Sequence, residues 1–267
     1  MSYSDDAGVT WKDAKSVEKA DGGVLWIAPN GGLLVFYSLN GHICSSACPN
    51  ASDASPVWMP QVSVGEGLAT GTPVVCKDRR WALPAQKIGV GPMVYKTATM
   101  GMSWDALDGP RDVPEDVKAQ GNNPHLYICA DGRLAIVCCS HGTSYSYVSI
   151  SDDGGSTWGK PERFAYNADR NFALTNLAVG NVLMVKNNRI DHRAYSYAKG
   201  LYAYLTPLDG KYWHGGLQLD GREDAVNPVV AVSRGVVYIA YTRNVKGVNE
   251  IYLVTTSERE VAEAWGF

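Results

Sequence analysis

Phenylalanine is scarce, at four residues in 267. Long apolar runs are missing: no stretch approaches the roughly 20 residues that a membrane-spanning helix needs. The N-terminus shows no charged start, apolar stretch and small-residue site in sequence, so no secretion signal is written there. As written the chain is expected in the cytoplasm, or in a secreted or periplasmic setting if sequence precedes Met1. A basic excess is also absent. Lys and Arg number 24 against 27 Asp and Glu, a net charge of −3. That balance offers no basic face for nucleic acid. Metal-ligand spacing is lacking too, because Cys44-x-x-x-Cys48 lacks the set of nearby His and Cys partners that a tetrahedral site needs. No metal and no cofactor are expected. The cysteine count is even, at six, but without a secretory segment free buried thiols are the expected state. Cys138 and Cys139 are adjacent in an apolar strand and should point to opposite faces. Asn50-Ala51-Ser52 is a glycosylation sequon, of consequence only in a eukaryotic secreted setting.

What the chain does have is turn formers and large aromatics: 28 Gly, 13 Pro, 15 Tyr and 8 Trp. That composition favours many short strands over long helices. A repeat organises them. Ser4-Asp5-Asp6-Ala7-Gly8-Val9-Thr10-Trp11 and Ser151-Asp152-Asp153-Gly154-Gly155-Ser156-Thr157-Trp158 share the pattern S-x-D-x-G-x-T-W. This is the Asp-box motif, also called the bacterial neuraminidase repeat. Weaker copies run from Thr97 to Trp104 without the Asp, from Thr206 to Trp213 with a displaced Asp-Gly pair, and from Ala51 to Trp58. The aligned residues Trp11, Trp58, Trp104, Trp158 and Trp213 recur about every 50 residues, a period that signals a repeat architecture. Asp in such a turn can accept backbone N–H groups. Gly supplies a positive φ, and Trp buries a large ring. The boxes are expected to be structural pins, not catalytic groups.

Between boxes the chain reads as hairpins with Gly-containing turns: Val24–Ala28 with Leu33–Ser38, Leu126–Cys129 with Leu134–Cys138, and Pro228–Val232 with Val236–Tyr241. Four-stranded units fall near 24–64, 72–110, 124–165 and 172–218, and a last unit near 227–257 has three strands. The expected fold is a single all-β domain over 1–267, a β-propeller of four-stranded blades. Five blades are visible. If the strand after the first box completes the last unit, the ring closes with five. A six-bladed parent is the alternative if upstream sequence is missing. Residues 258–265 read as a short terminal helix.

With its boxes and with Leu219-Asp220-Gly221-Arg222, Tyr241-Thr242-Arg243 and Glu250-Ile251-Tyr252-Leu253, the chain resembles the sialidase-like Asp-box superfamily over nearly its whole length. The resemblance implies a propeller carrying three arginines around a substrate carboxylate, a Tyr nucleophile paired with Glu, and an Asp acid/base. An arginine fork suits a carboxylate because it bonds it bidentately. The family's first arginine and its Asp fall before this chain starts. Asn227 stands where the family has a late Tyr.

Propeller geometry sorts the charged residues. Boxes and a–b hairpins lie on one face, while d–a connections and b–c loops surround the opening on the other. Arg79, Arg80, Arg133 and Arg234 fall in hairpins and are expected on the solvated surface. The opposite face should carry ligand-binding groups, because loops on a rigid scaffold concentrate them. Candidate catalytic carboxylates there are Glu66, Asp191 and Asp224. Candidate substrate-binding groups are Arg170, Arg189, His192, Arg193, Arg222 and Arg243. His125 and His141 are expected to be structural. The expected function is a sialidase-like glycoside hydrolase acting on an anionic carbohydrate of sialic-acid or uronic-acid type. A non-catalytic glycan-binding propeller and a polysaccharide lyase on the same architecture are the competing readings. The expected partner is an anionic carbohydrate, with no nucleic acid and no membrane span.

Overall fold

The computed structural model describes residues 2–3, 10, 12–13, 21–51, 53, 57–113, 123–139, 145–166, 172–177, 180–187, 200–206 and 214–263. The first box falls largely outside them, as do Trp213 and His141. The fold is all-β, and its sheets form a β-propeller. A short N-terminal pair, β1 (Ser2–Tyr3) and β2 (Lys12–Asp13), brackets the first box and is antiparallel.

Five radial sheets follow in chain order. The first is β3 (Asp21–Ile27), β4 (Leu33–Leu39), β5 (His42–Cys48) and β6 (Val62–Glu66). The second has a split inner strand, β7 (Leu68–Ala69) and β8 (Val74–Val75), then β9 (Trp81–Lys87), β10 (Gly91–Thr97) and β11 (Asp105–Asp108). The third is β12 (His125–Ile128), β13 (Leu134–Cys139), β14 (Tyr145–Ser151) and β15 (Glu162–Tyr166). The fourth is β16 (Ala173–Asn176), β17 (Val182–Asn187), β18 (Leu201–Thr206) and β19 (His214–Asp220). The fifth is β20 (Val226–Ser233), β21 (Val236–Val245) and β22 (Val248–Ser257). Each is an antiparallel meander. A one-and-a-half-turn helix, α1 (Glu258–Glu263), follows.

The expected hairpins and unit limits therefore hold to within a few residues, as does the terminal helix. The strand after the first box, expected to complete the last unit, lies largely outside the described residues. Among the described residues β2 pairs with β1, and the fifth sheet has three strands.

The apolar runs are nearly continuous because most sheets are buried on both faces. β13 shows this directly: all six of its residues are buried. Leu134, Ile136 and Cys138 pack on the second sheet with Ala82 and Val94. Ala135, Val137 and Cys139 pack on the fourth with Leu174, Val182 and Met184. Cys138 and Cys139 do point to opposite faces, and all six cysteines are free and buried. Burial raises the Cys138 thiol to about 12, so it is inert at neutral pH. Similar layers join the first sheet to the second through Phe36, Leu83 and Tyr95, and the fourth to the fifth through Leu183, Leu201 and Ile239. The inner strands of all five sheets surround an apolar cavity of about 700 Å³, within the size range of ligand pockets.

The boxes act as turn pins. In the second full copy, Ser151 Oγ accepts Gly155 N–H at 2.7 Å. Asp153 accepts the N–H groups of Ser156 and Thr157 and the Thr157 hydroxyl, at 3.0, 2.8 and 2.7 Å. Trp158 Nε1 reaches back to the Asp108 carbonyl of the second sheet at 2.9 Å. The copy that lacks Asp is pinned the same way. Thr97 Oγ1 accepts Gly101 N–H at 3.2 Å, and Thr99 Oγ1 takes the place of the carboxylate by accepting Ser103 N–H at 2.8 Å. Asn50, the sequon residue, anchors its own turn through Val57 N–H and Asp53.

Asp153→Ala removes several of these bonds at once. Urea denaturation should show it about 1–2 kcal/mol less stable than the parent, whereas an unchanged midpoint would mean that the box is not a stabilising pin.

Candidate functional site

The face opposite the boxes is built from the upper ends of the strands, and its best-defined feature lies between the fourth and fifth sheets. β19 ends at Asp220, whose side chain is 4% exposed. Gly200, just before β18, permits this approach: its φ is +124°, and a Cβ there would sit 2.2 Å from the Asp220 carbonyl oxygen. The Asp220 carboxylate accepts Arg222 N–H at 2.9 Å, Arg222 Nε–H at 2.7 Å and the Tyr241 hydroxyl at 2.7 Å. Arg222 holds this carboxyl well below the usual range, and the carboxylate in turn raises the guanidinium. Burial, with Asp220 beside it, pushes the Tyr241 phenol up to about 12. The connection from Arg222 to Ala225 is clamped by Asn187, whose Nδ2 donates to the Glu223 carbonyl at 3.1 Å and also to that of Ala225.

Tyr252 is the hub. It is the register partner of Tyr241, and the rings stack at 5.7 Å. The guanidinium of Arg222 lies 5.1 Å from the centre of the Tyr252 ring and that of Arg243 lies 5.2 Å from it. Both are within cation–π range. The Tyr252 hydroxyl donates to Glu250 at 2.8 Å. Arg243 Nε–H donates to Asp224 at 2.9 Å. Arg243 is mostly covered, while 49% of the Arg222 side chain is exposed. Two cations on one aromatic ring, one open to solvent, can receive a carboxylate. A tyrosine donating to a carboxylate is also the arrangement that activates a phenol as a nucleophile.

The three segments Leu219–Arg222, Tyr241–Arg243 and Glu250–Leu253 thus converge in space. Of the candidate residues, Asp224, Arg222 and Arg243 lie together here. Glu66 lies elsewhere, between the first and second sheets, in an ion pair with Lys87. Lys87 holds its carboxyl below the usual range. Arg170, Arg189, Asp191, His192 and Arg193 lie outside the described residues. Arg80 and Arg133 are on the hairpin face, paired with Asp78 and Asp131. His125 is buried against Phe172 at 4.6 Å, and burial lowers it to about 4, so it is neutral and structural.

Sequence reasoning did not place Asp220, Tyr241, Glu250 and Tyr252 among the site residues. One signal was available: Glu250 and Tyr252 are two apart on a strand and share a face. It also missed Lys186, at the upper end of β17 in an otherwise apolar run. Lys186 lies 5.2 Å from the Tyr204 ring centre, and burial brings its amine down to about 8. Among the described residues no cluster of His, Cys, Asp or Glu is arranged to hold a metal, and no helix is long and apolar enough to cross a membrane.

Asp220 has a folded-state pKa below its unfolded value, so its stabilisation is present above about pH 4 and is lost as pH falls through that window toward the depressed value. Asp220→Asn should cost about 1–3 kcal/mol at neutral pH and flatten the acid side of the stability profile. A variant with the parent's acid slope would show that this carboxylate does not contribute to it.

In comparisons with known proteins, residues 1–253 match the model of the BNR repeat-like domain. No curated protein sequence matches. Solved structures with the same fold include a protein of unknown function from Dyadobacter fermentans, with TM-score 0.70 and 15% identity over 95% of this chain and 82% of that one. A Trypanosoma rangeli sialidase in complex with sialic acid matches with TM-score 0.69 and 15% identity, over 99% of this chain. The chain spans only 50% of that sialidase. A Penicillium chrysogenum alpha-L-arabinanase complexed with arabinobiose matches with TM-score 0.60 and 15% identity, over 89% of this chain and 78% of that one. Identities this low carry the fold alone, a β-propeller. The chain belongs to the BNR repeat-like domain family.

Proposed function

We propose that this chain is a sialidase-like glycoside hydrolase acting on an anionic carbohydrate of sialic-acid or uronic-acid type. The observation that carries the reading is the Tyr252–Glu250 hydrogen bond beside two arginines. In this reading Arg222 and Arg243 hold the sugar carboxylate. Tyr252 attacks the anomeric carbon as Glu250 takes its proton, and the leaving oxygen is protonated by Asp191 or Asp224. The ionised form of Glu66, favoured by Lys87, suits charge stabilisation rather than proton donation. The sialidase and arabinanase neighbours support a carbohydrate substrate.

A second reading, a non-catalytic glycan-binding propeller, is favoured by one feature. Arg222 and Arg243 each already hold a carboxylate, Asp220 and Asp224, which leaves a ligand to compete for them.

Fluorogenic sialosides and uronides separate the two. Turnover by the parent is expected, with Tyr252→Phe lowering kcat by about 10²–10⁴-fold at little change in KM. Saturable glycan binding without turnover, abolished in Arg222→Ala, would replace the first reading by the second. Neither turnover nor binding would refute both.

A further inference from the structure

The first four sheets carry a polar or thiol side chain at one shared repeat position. Their inner hairpins close with the same backbone bond: Ala28 N–H to the Gly32 carbonyl, Cys76 to Arg80, Cys129 to Arg133 and Leu177 to Asn181. Aligned on these bonds, the residue ten further on (28 to 38, 76 to 86, 129 to 139, 177 to 187) is Ser38, Gln86, Cys139 or Asn187. Each stands at or next to the upper end of the strand beside the inner one, and all four are buried. Strand alternation puts each on the face of Phe36, Ala82, Val137 or Val185, which packs on the next sheet. Two of them grip the connection that leads into that sheet. Ser38 Oγ donates to the Gly67 carbonyl at 3.3 Å. Asn187 Nδ2 donates to the Glu223 carbonyl at 3.1 Å and also to that of Ala225.

Stability alone does not account for Asn187. Its Oδ1 is buried and has no hydrogen-bond partner among the described residues. Leaving a carbonyl oxygen bare costs about as much as two ordinary hydrogen bonds return, so the Nδ2 bonds and the bare oxygen nearly cancel. What the two bonds achieve is geometric. The gripped carbonyls belong to the residues on either side of Asp224, and Ala225 N–H donates back to the Arg222 carbonyl at 3.3 Å, closing the turn. One amide thus holds a segment that starts with Arg222 and contains Asp224. Asp224 in turn accepts Arg243 Nε–H at 2.9 Å, and the Arg243 guanidinium lies 5.2 Å from the centre of the Tyr252 ring.

We propose that Asn187 is a positioning residue: through the turn it grips, it sets Arg222 and Arg243 in place for an anionic ligand. A guanidinium fork bonds an anion bidentately only when its plane is held in place, and a site is as precise as the shell that supports it. Asn187 supplies that support from the fourth sheet to a turn whose charged residues serve the fifth. Ser38 is its counterpart in the first sheet, beside the Glu66–Lys87 pair, and grips a single carbonyl. The consequence for ligand binding rests on the carbohydrate reading above, whereas the positioning of Arg243 does not.

Exchange of the Arg243 Nε–H with water, followed by nitrogen-15 NMR of the whole chain, reads this positioning without any ligand. Asn187→Ala should speed the exchange at least about tenfold, with an unchanged circular dichroism spectrum, because Asp224 is no longer held in one place. Asn187→Leu, which leaves neither a donor nor a bare oxygen, should do the same and guards against a variant that fails to fold. Ser38→Ala removes the counterpart bond and should leave Arg243 at the parent rate. Exchange at the parent rate in both Asn187 variants would overturn the inference. So would equal acceleration in Ser38→Ala, which would mark a general loosening of the blades. Titration with N-acetylneuraminic acid and its carboxyl methyl ester then reads the consequence: Asn187→Ala should lose the parent's preference of about tenfold for the acid, and Ser38→Ala should keep it. A parent that binds neither compound would refute the carbohydrate reading, and the exchange rates would still decide whether Asn187 positions Arg243.

Discussion

A sheet that is apolar on both faces cannot be stable alone, and this constraint organises the molecule. The second, third and fourth blades each bury one face on the blade before and the other on the blade after. The layers around Phe36 and Leu83, Val94 and Ile136, Val137 and Met184, and Leu183 and Ile239 are four instances of the same contact. Burial of this kind is the main favourable term in folding. It propagates around the central cavity from the first sheet to the fifth. Loops and turns are then left at two opposite faces, where water can satisfy their backbone groups. Division of labour follows. Boxes pin the turns on one face, while side chains on the other are free to serve a ligand.

The cluster around Tyr252 belongs to one of these seams. Tyr241 and Tyr252 still pack on the fourth sheet, so their rings are fixed by the same burial that holds the ring of blades. Rigid aromatic support lets two guanidinium groups approach one another despite like charge, because each also has a carboxylate, Asp220 or Asp224. Burial sets the Asp220 pair apart from its look-alikes. Asp78 with Arg80 and Asp131 with Arg133 make the same local bonds in hairpins, but both of those carboxylates are solvated. A local Asp-x-Arg turn thus becomes part of a site only where an aromatic wall stands behind it.

Most of the fold was legible in the sequence because its determinants are local. Gly-containing turns and strand-length apolar runs mark hairpins, and the S-x-D-x-G-x-T-W pattern marks the box. Thr99 shows why a degenerate copy still works, since a hydroxyl can accept the N–H that a carboxylate accepts elsewhere. The site was legible only in part. Arg222, Arg243 and Asp224 follow from their positions at strand ends. Asp220, Tyr241, Glu250 and Tyr252 do not, because their roles come from contacts between strands far apart in the chain.

The central claim is that Arg222 and Arg243 recognise a sugar through its carboxylate. Calorimetric titration with N-acetylneuraminic acid and with its carboxyl methyl ester tests this most directly. The acid should bind at least about tenfold more tightly than the ester, a difference of about 1.4 kcal/mol, and its affinity should fall as salt is raised. Equal binding of acid and ester, indifferent to salt, would contradict the account.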